Sequence, residues 1–446
     1  MEDSKWVIDV NDGVKKMEDT SKEQWEKHSI YEVPACVKDQ NKNAYRPQTV
    51  SFGPYHHGEA HLKRMEEHKH RALLHFLRRC QKPVESCLKA LAKVVQDLKD
   101  SYEPLDPKWA DDTAGFLKMM TLDGCFMLEI LRASVDEVND YDSKDPIFSK
   151  HGKLYIMPHI RRDMLMLENQ IPMQVLELLL ELLPGDKKKE RANELIRKSW
   201  FPDTNHSEMG NCLHVLDVCR KILLQPKGNQ KKQGGRPLGK DKPSGDEFIR
   251  SATELNEAGI QFKVKKKGSL KDITFDGGVL ELPLIVVDDA TESMFLNLIA
   301  FERFHVEAGN EITSYVFIMD NIIDNAMDVA LLHSSGIIQN AIGSDKAVAK
   351  LFNSLSKDIT LDPESSLDVV QKNVSEYCKQ PWNNWRANLI HTYFRNPWAI
   401  ISLIAAIFLF ALTIVQTVYT ILGVIDSPQP SHYYKPPLPD LKTPRH

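Results

Sequence analysis

The sequence MLMLENQIPMQVLELLLELL, residues 164–183, is apolar on almost every side except for the group Glu-Asn-Gln at 168–170. A helix that is hydrophobic all round belongs in the middle of a protein core. Pro172 interrupts the stretch and predicts a kink or a new helix start. The run FLKMMTLDGCFMLEIL, residues 116–131, has the same character. Together the two stretches predict a mainly α fold built around central helices.

Shorter patterns add further elements. Apolar residues at helical spacing predict an amphipathic helix over 84–99, and another helix is predicted over 312–332. Asp289 and Glu292 resemble a capping box that starts a helix. The runs KDITF and VLELP flank the turn residues 276–278, Asp-Gly-Gly, and LIVVD follows. We therefore expect a small β-hairpin inside the helical domain.

Composition narrows the class of protein. The chain has 446 residues, 42% of them hydrophobic, which is enough for a large core. Its 57 basic and 62 acidic residues give a net charge of −5, so no general attraction for nucleic acid exists and we expect no such partner. The seven cysteines include no CxxC pair, which argues against a disulfide framework and suits a reducing compartment.

The C-terminal region carries the membrane signal. Residues 396–425 contain no charged side chain and exceed the roughly 20 apolar residues that span a bilayer. This predicts a single transmembrane helix, followed by a short Pro-rich tail at 426–446. Residues 1–28 form an acidic flexible N-terminus without the apolar region of a secretory signal. The helical domain at 29–395 is therefore expected in the cytosol, at the plasma membrane or an endomembrane.

A disordered linker is predicted over 225–247, where the composition changes to Gly, Pro and Lys. Within it, residues 227–242 hold six basic residues and one acid, Asp241. Contact with anionic lipid and simple solubility are both open interpretations. Residues 234–240, GGRPLGK, fit the phosphate-loop pattern GxxxxGK, but Asp241 stands where a Ser or Thr would hold magnesium. An accidental match is the alternative, and we expect no cofactor.

Four motifs give the chain a resemblance to a known family: IYEVPACVKDQNKNAYRPQTVSFGPYHHG at 30–58, MLMLENQIP at 164–172, SATELNEAGIQFK at 251–263 and HTYFRNPWAIISLIAA at 391–406. They resemble the plant DUF247 proteins, also called UPF0481. The resemblance implies a C-terminal membrane helix and no established enzymatic activity. Some members are associated with self-incompatibility loci. It supplies no catalytic residues.

Polar residues also interrupt the apolar stretches. Burial demands hydrogen-bond partners for such groups, which Arg161, Arg162 and backbone groups can supply as a structural network. A pair of carboxylates sharing acid and base roles is the catalytic alternative. The residues in question are Asp123, Asp163, Glu168, Asn169 and Gln170.

Histidines offer a possible metal site. His61, His68 and His75 are seven residues apart, with His57 and Glu67 nearby, so a helix here would place several ligands together. The simpler interpretation is a polar helix face, and no metal ligand is assigned.

Two functions from different classes follow. The first is a membrane-anchored interaction or signalling protein without enzymatic activity, with the bilayer and an unknown protein as partners. The second is a magnesium-dependent membrane enzyme acting on a lipid or isoprenoid. It would use Asp288 and Asp289 together with Asp320, Asp324 and Asp328, which repeat at i, i+4 and i+8 on one predicted helix face.

The predicted cytosolic orientation has an internal reporter. Asn205-His206-Ser207 and Asn373-Val374-Ser375 both fit the N-glycosylation sequon. Both asparagines should remain unmodified when the chain is expressed in plant cells, because the glycosylation machinery lies on the other side of the membrane. An endoglycosidase-sensitive gel shift that is lost in Asn205→Gln or Asn373→Gln would contradict the orientation.

Overall fold

The computed structural model describes residues 5–8, 10–14, 27–135, 140–184, 192–202, 209–225, 250–266, 268–357, 359, 368–380 and 397–425. The chain forms two units, Met1–Gln380 and Pro381–His446. The first unit, called the body below, is mainly helical, as predicted. The predicted linker beyond Gln225 and the tail at 426–446 lie outside the described residues, as does the phosphate-loop-like segment. The short pieces at 5–8 and 10–14 are helical.

The helices of the body are α1 (Ala35–Lys38), α2 (Lys42–Tyr45), α3 (Lys63–Cys80), α4 (Val84–Ala92), α5 (Val95–Asp100), α6 (Pro107–Asp111), α7 (Thr113–Val135), α8 (Lys150–Tyr155), α9 (Met157–Asp163), α10 (Met173–Leu180), α11 (Ala192–Trp200), α12 (Val215–Leu223), α13 (Ala252–Glu257), α14 (Thr291–Phe304), α15 (Glu311–Ile322), α16 (Ala326–Ser334), α17 (Asp345–Leu355) and α18 (Asp368–Lys379). The second unit contains α19 (Pro397–Ile425).

Helix α7 is the centre of one half of the body, and α3, α4, α10 and α11 pack around it. Phe126, Met127, Leu128, Ile130 and Leu131 are fully buried, so this part of the helix is covered on all sides, as expected of a central helix. In the other half, α14 packs against α2, α15 and α17. All seven cysteines are free thiols, in agreement with the sequence prediction.

The stretch 164–183 divides where the sequence predicts. A 3₁₀ turn covers Leu167–Asn169, and α10 begins directly after Pro172. Proline is tolerated there because its missing N–H would have no partner within the first turn of a helix. The polar group Glu168-Asn169-Gln170 therefore lies in a buried bend between two apolar segments.

Seven short strands complete the described body: β1 (Ile30–Tyr31), β2 (Tyr102–Glu103), β3 (Gln261–Lys265), β4 (Thr274–Asp276), β5 (Val279–Pro283), β6 (Ile285–Val287) and β7 (Ile338–Asn340). The predicted hairpin is β4 and β5, which pair antiparallel around Gly277 and Gly278. Both glycines have positive φ, 55° and 85°, as a two-residue hairpin loop requires. Strand β3 adds parallel to β5, and β1–β2 and β6–β7 are parallel pairs.

Three predicted helix boundaries are wrong. The helix predicted over 84–99 is divided at Lys93–Val94, where two adjacent β-branched valines lower helix propensity. The helix predicted over 312–332 is divided between Ile322 and Ala326, because Asn325 accepts a hydrogen bond from the N–H of Met327 and starts a new helix.

The third wrong boundary is the start of α14. This helix begins at Thr291 and lacks the predicted capping box. Asp288, rather than Asp289, stabilises the turn before the helix. Its side chain accepts hydrogen bonds from Ala290 N at 3.0 Å and from the Thr291 hydroxyl at 2.8 Å.

Helix α19 contains the segment Ile404–Leu422, which is long and apolar enough to cross a membrane. No Asp, Glu, Lys or Arg occurs between Pro397 and Ile425. The apolar side chains described in this helix are exposed, for example Phe408 at 63% and Phe410 at 69%.

Substitution of two leucines by alanine tests whether α4 belongs to the core. Leu91 is fully buried in α4, whereas Leu74 in α3 is 66% exposed. We expect Leu91→Ala to lower the free energy of unfolding by about 2–5 kcal/mol, because it leaves a cavity. The same change at Leu74 should cost at most about 0.5 kcal/mol. Unfolding of the full chain in detergent, followed by tryptophan fluorescence, measures both, and equal losses would contradict this packing.

Candidate functional site

A buried polar cluster holds the segment Ile30–Gly58 against the bend at 168–170. Glu168 is a carboxylate of this cluster that has three partners in the segment. Glu168 Oε1 accepts a hydrogen bond from Val33 N at 2.6 Å and contacts Lys38 Nζ at 2.6 Å. Its other oxygen, Oε2, lies 3.1 Å from His56 Nε2. These contacts join both ends of the segment to one side chain.

Asp163, at the end of α9, binds the middle of the segment. Its Oδ2 accepts three backbone hydrogen bonds, from Gln48 N at 3.0 Å, Thr49 N at 2.6 Å and Val50 N at 3.1 Å. Arg162 Nη2 lies 3.1 Å from Oδ1. Burial raises the pKa of Asp163, although the backbone N–H groups and Arg162 oppose this shift.

Two buried amides complete the contacts with this segment. Asn169 accepts a hydrogen bond from Phe52 N at 2.7 Å and donates to Val50 O at 3.0 Å. Asn297, from α14, accepts from Leu167 N and donates to Ala44 O, both at 2.8 Å. The 3₁₀ turn, the segment and α14 are thus joined through amide side chains.

Gln170 links the bend to α12. Its Nε2 donates to Met164 O and Met166 O, both at 2.7 Å, and its Oε1 accepts from Leu216 N at 3.2 Å.

Lys69 and Asp123 form an ion pair inside the core. Lys69 Nζ lies 2.6 Å from Asp123 Oδ1, and both side chains are almost completely buried. Asp123 Oδ2 accepts a hydrogen bond from Gly53 N at 2.9 Å, and Glu66 gives Lys69 a second carboxylate at 2.7 Å. A charged lysine at full burial requires such partners. Lys69 was not singled out from the sequence, because it lies among charged residues that resemble a solvated helix face.

The predicted network is therefore present, with a different set of cations. Arg162, Lys38 and Lys69 contact its carboxylates, whereas Arg161 does not. Arg161 instead donates to Ser199 O at 2.6 Å, and its guanidinium lies 4.8 Å from the centre of the Trp200 ring. Since backbone and cationic groups occupy these carboxylates, their arrangement is that of a structural network.

His56 sits between two carboxylates of this network. Its Nδ1 lies 2.6 Å from Glu59 Oε1, and its Nε2 contacts Glu168. Burial lowers the pKa of His56, but the hydrogen bonds and charges of Glu168 and Glu59 outweigh burial, and the net pKa is raised above its ordinary value. The charged imidazolium is thus stabilised in the folded protein.

The aspartate stripe proposed for magnesium does not exist, because the break before α16 separates Asp320 from Asp328. Asp328 is buried, and four donors occupy it: Thr253 N and its hydroxyl at Oδ1, and Asp324 N and Asn325 N at Oδ2. Burial alone would raise the pKa of Asp328, but these hydrogen bonds lower it below its ordinary value.

Such a carboxylate caps a helix and connects α13 to α16. Asp288 and Asp289 are exposed and lie earlier in the chain, directly before α14. The predicted helix face of Asp320, Asp324 and Asp328 is therefore wrong, because these residues do not lie on one helix.

The histidines are also dispersed. His61 precedes α3 and contacts Pro47 O at 3.0 Å, while His68 contacts Arg71 and His75 stacks on Tyr141. His57 packs edge-on against Trp109. Among the described residues, no three His, Cys, Asp or Glu side chains are grouped closely enough to hold a metal ion.

A separate cleft of about 710 Å³ lies between α9, α11 and the β6–α14 connection. Apolar residues form most of its wall, and three cations, Lys153, Arg161 and Arg162, also line it. The apolar lining includes Met157, Leu165, Trp200, Leu223, Ile285 and Phe295. This cleft could not be predicted from the sequence, because its wall is assembled from separate segments between Ala133 and Phe295.

These features define a mainly helical protein. A buried polar network holds the segment Ile30–Gly58 in its body, and an apolar helix follows the body in the chain. The chain belongs to the DUF247 family, described as plant protein of unknown function, which matches residues 30–412. It is similar to UPF0481 protein At3g47200 of Arabidopsis thaliana, with 32% identity over 92% of this chain and 89% of that protein. A second Arabidopsis thaliana UPF0481 protein, At3g02645, is 23% identical over 93% of this chain and 94% of its own. No solved structure matches.

Replacing Glu168 by Leu tests the network. Val33 N, Lys38 and His56 would lose their shared partner, so we expect the free energy of unfolding to fall by about 1–3 kcal/mol. Glu32 is a matched control, because its side chain is half exposed beside the same Lys38. Glu32→Leu should change stability by at most about 0.5 kcal/mol in the same denaturation measurement. A neutral Glu168→Leu would show that the cluster does not hold the segment.

His56 should make stability depend on pH. The pKa of His56 is higher in the folded state than in the unfolded state. Protonated His56 therefore contributes fully to the free energy of unfolding below the unfolded pKa of about 6.5. This contribution is lost as pH rises through the folded pKa. Wild-type protein should lose stability relative to His56→Gln over the pH range above about 6.5 in which the folded histidine loses its proton. Parallel melting curves of the two proteins isolate this histidine. A constant difference across that range would contradict the raised pKa.

Proposed function

We propose that the chain is a membrane-anchored interaction protein, held in the bilayer by α19, whose helical body binds a protein partner in the cytosol. The observation that carries the proposal is the exposure of an apolar helix. Within Ile404–Leu422, side chains such as Ile407, Phe408 and Leu409 are more than half exposed, although a soluble core helix would bury them. A bilayer is the solvent in which such a surface is stable.

Interaction rather than catalysis is supported by the polar groups of the body. The carboxylates that most resemble acid–base candidates, Asp163, Glu168 and Asp123, all bind backbone N–H groups. The magnesium-dependent alternative loses its aspartate stripe at the break before α16. Some members of the family are associated with self-incompatibility loci, and a membrane-held binding body is compatible with a role in such recognition.

The basic segment 227–242, outside the described residues, would make a second contact with the membrane through attraction to anionic lipid. This contact would add to the anchoring by α19 and could not replace it, because surface attraction is weaker than insertion of an apolar helix.

Charges placed in the middle of α19 test the anchor. The double change Leu409→Lys with Leu412→Lys should release the full-length chain from membranes during alkaline extraction, because each lysine costs about 2.5–3.5 kcal/mol at the helix centre. The matched variant, Leu409→Ala with Leu412→Ala, should stay in the membrane pellet. Retention of the double-lysine chain would contradict anchoring by this helix.

The partner is tested by crosslinking in intact cells, comparing the full chain with one that lacks residues 396–446. Proteins captured only by the anchored chain would support a partner met at the membrane. An identical set of captured proteins from both chains would contradict the role of the anchor in partner choice.

A further inference from the structure

We propose that the cleft between α9, α11 and the β6–α14 connection binds a free single-chain amphiphilic acid, a hydrocarbon chain that ends in a carboxylate. The site belongs to the body alone, so the proposal does not depend on α19 or on the protein partner proposed above.

The size and lining of the cleft fit a small molecule. Its volume of about 710 Å³ falls within the range of roughly 300–1,000 Å³ that is usual for ligand sites. Met157, Leu165 and Phe295 contribute apolar surface, and Val286 remains 51% exposed beside them. An apolar wall of this kind favours a hydrocarbon chain, because burial of that chain removes both surfaces from water.

The charged residues specify the other end of the ligand. Lys153, Arg161 and Arg162 line the cleft, against one carboxylate, Asp288. One oxygen of the Asp288 carboxylate is already used within its own turn, since Oδ1 accepts hydrogen bonds from Ala290 N and from the Thr291 hydroxyl. The excess of positive charge favours an anion over a neutral or cationic head group.

The two arginines have unused donors. Among the described residues, Arg161 makes one hydrogen bond, to Ser199 O, and the Trp200 ring holds its guanidinium in place. Arg162 gives one hydrogen bond to Asp163 among the described residues. Each guanidinium has five N–H donors, so both arginines keep further donors for a ligand carboxylate in the cleft that they line. Guanidinium groups held in place are suited to bind a planar carboxylate.

The size of the cleft favours a ligand with one chain over a lipid with two. The wall includes Ile285 and Phe295, and the cations on α8 and α9 line the same cleft. A ligand that contacts both groups must fit within about 710 Å³, a volume usual for a single small molecule.

Photocrosslinking tests the proposal with the full chain in nanodiscs of phosphatidylcholine. The probe is palmitate that carries a diazirine in its chain, and its attachment sites are mapped by mass spectrometry. We expect labelling of cleft residues such as Met157, Leu223 and Phe295. Unlabelled palmitate should displace the probe at least about tenfold more effectively than hexadecanol, which has the same chain without the charge.

Two variants separate binding from folding. Lys153→Gln and Arg162→Gln should each raise the palmitate concentration needed for displacement about tenfold, whereas Arg162→Lys, which keeps the charge but not the planar guanidinium, should lose less affinity than Arg162→Gln. A melting curve for each variant shows whether the body is folded, and Lys153, which is half-buried on α8, should be replaced without loss of stability. The hexadecanol value should not change.

Three results would overturn the proposal. They are the absence of labelling at the cleft residues, equal displacement by palmitate and hexadecanol, and unchanged palmitate affinity in folded Lys153→Gln and Arg162→Gln. Displacement by vesicles of anionic phospholipid but not by palmitate would also overturn it, and would identify the cations as a contact with the membrane surface.

Discussion

The hydrogen bonds between buried carboxylates and the backbone of Ile30–Gly58 organise the body. This segment has two helices of one turn each, α1 and α2, and a two-residue strand, so it cannot satisfy its own N–H groups. Asp163 and Glu168 supply acceptors at two of its points, and Asn169 adds a third. Because an unpaired buried N–H costs about 1–3 kcal/mol, loss of these side chains would destabilise the whole segment.

Much of this arrangement follows from the sequence. An apolar run that is interrupted by Glu-Asn-Gln requires buried partners for those side chains, and the structure contains them. The central helix α7 and the restart after Pro172 also follow, because hydrophobic periodicity and proline act locally. The Gly277-Gly278 turn is predictable for the same reason: few residues other than glycine adopt both of its backbone conformations.

Features that depend on distant residues could not be predicted. Asp328 has the spacing of a helix stripe, yet it binds Thr253, which lies 75 residues earlier, and caps α16. Lys69 looks like a surface residue until Asp123 is placed beside it. Strand β3 has no local signal that separates it from a loop, because its pairing with β5 supplies the hydrogen bonds. The cleft is a product of tertiary packing, since its cations and its apolar wall come from separate parts of the chain.

The contact of Asp163 with the main chain of Gln48, Thr49 and Val50 has a consequence for sequence variation. Main-chain N–H groups are the same in every amino acid except proline. The side chains of Gln48 and Thr49 are accessible to solvent, so they can be exchanged without loss of the attachment. The fold thus separates the backbone groups that hold this segment in place from the side chains that face solvent. Related proteins could therefore differ in these exposed side chains while the backbone of the segment stays attached in the same way.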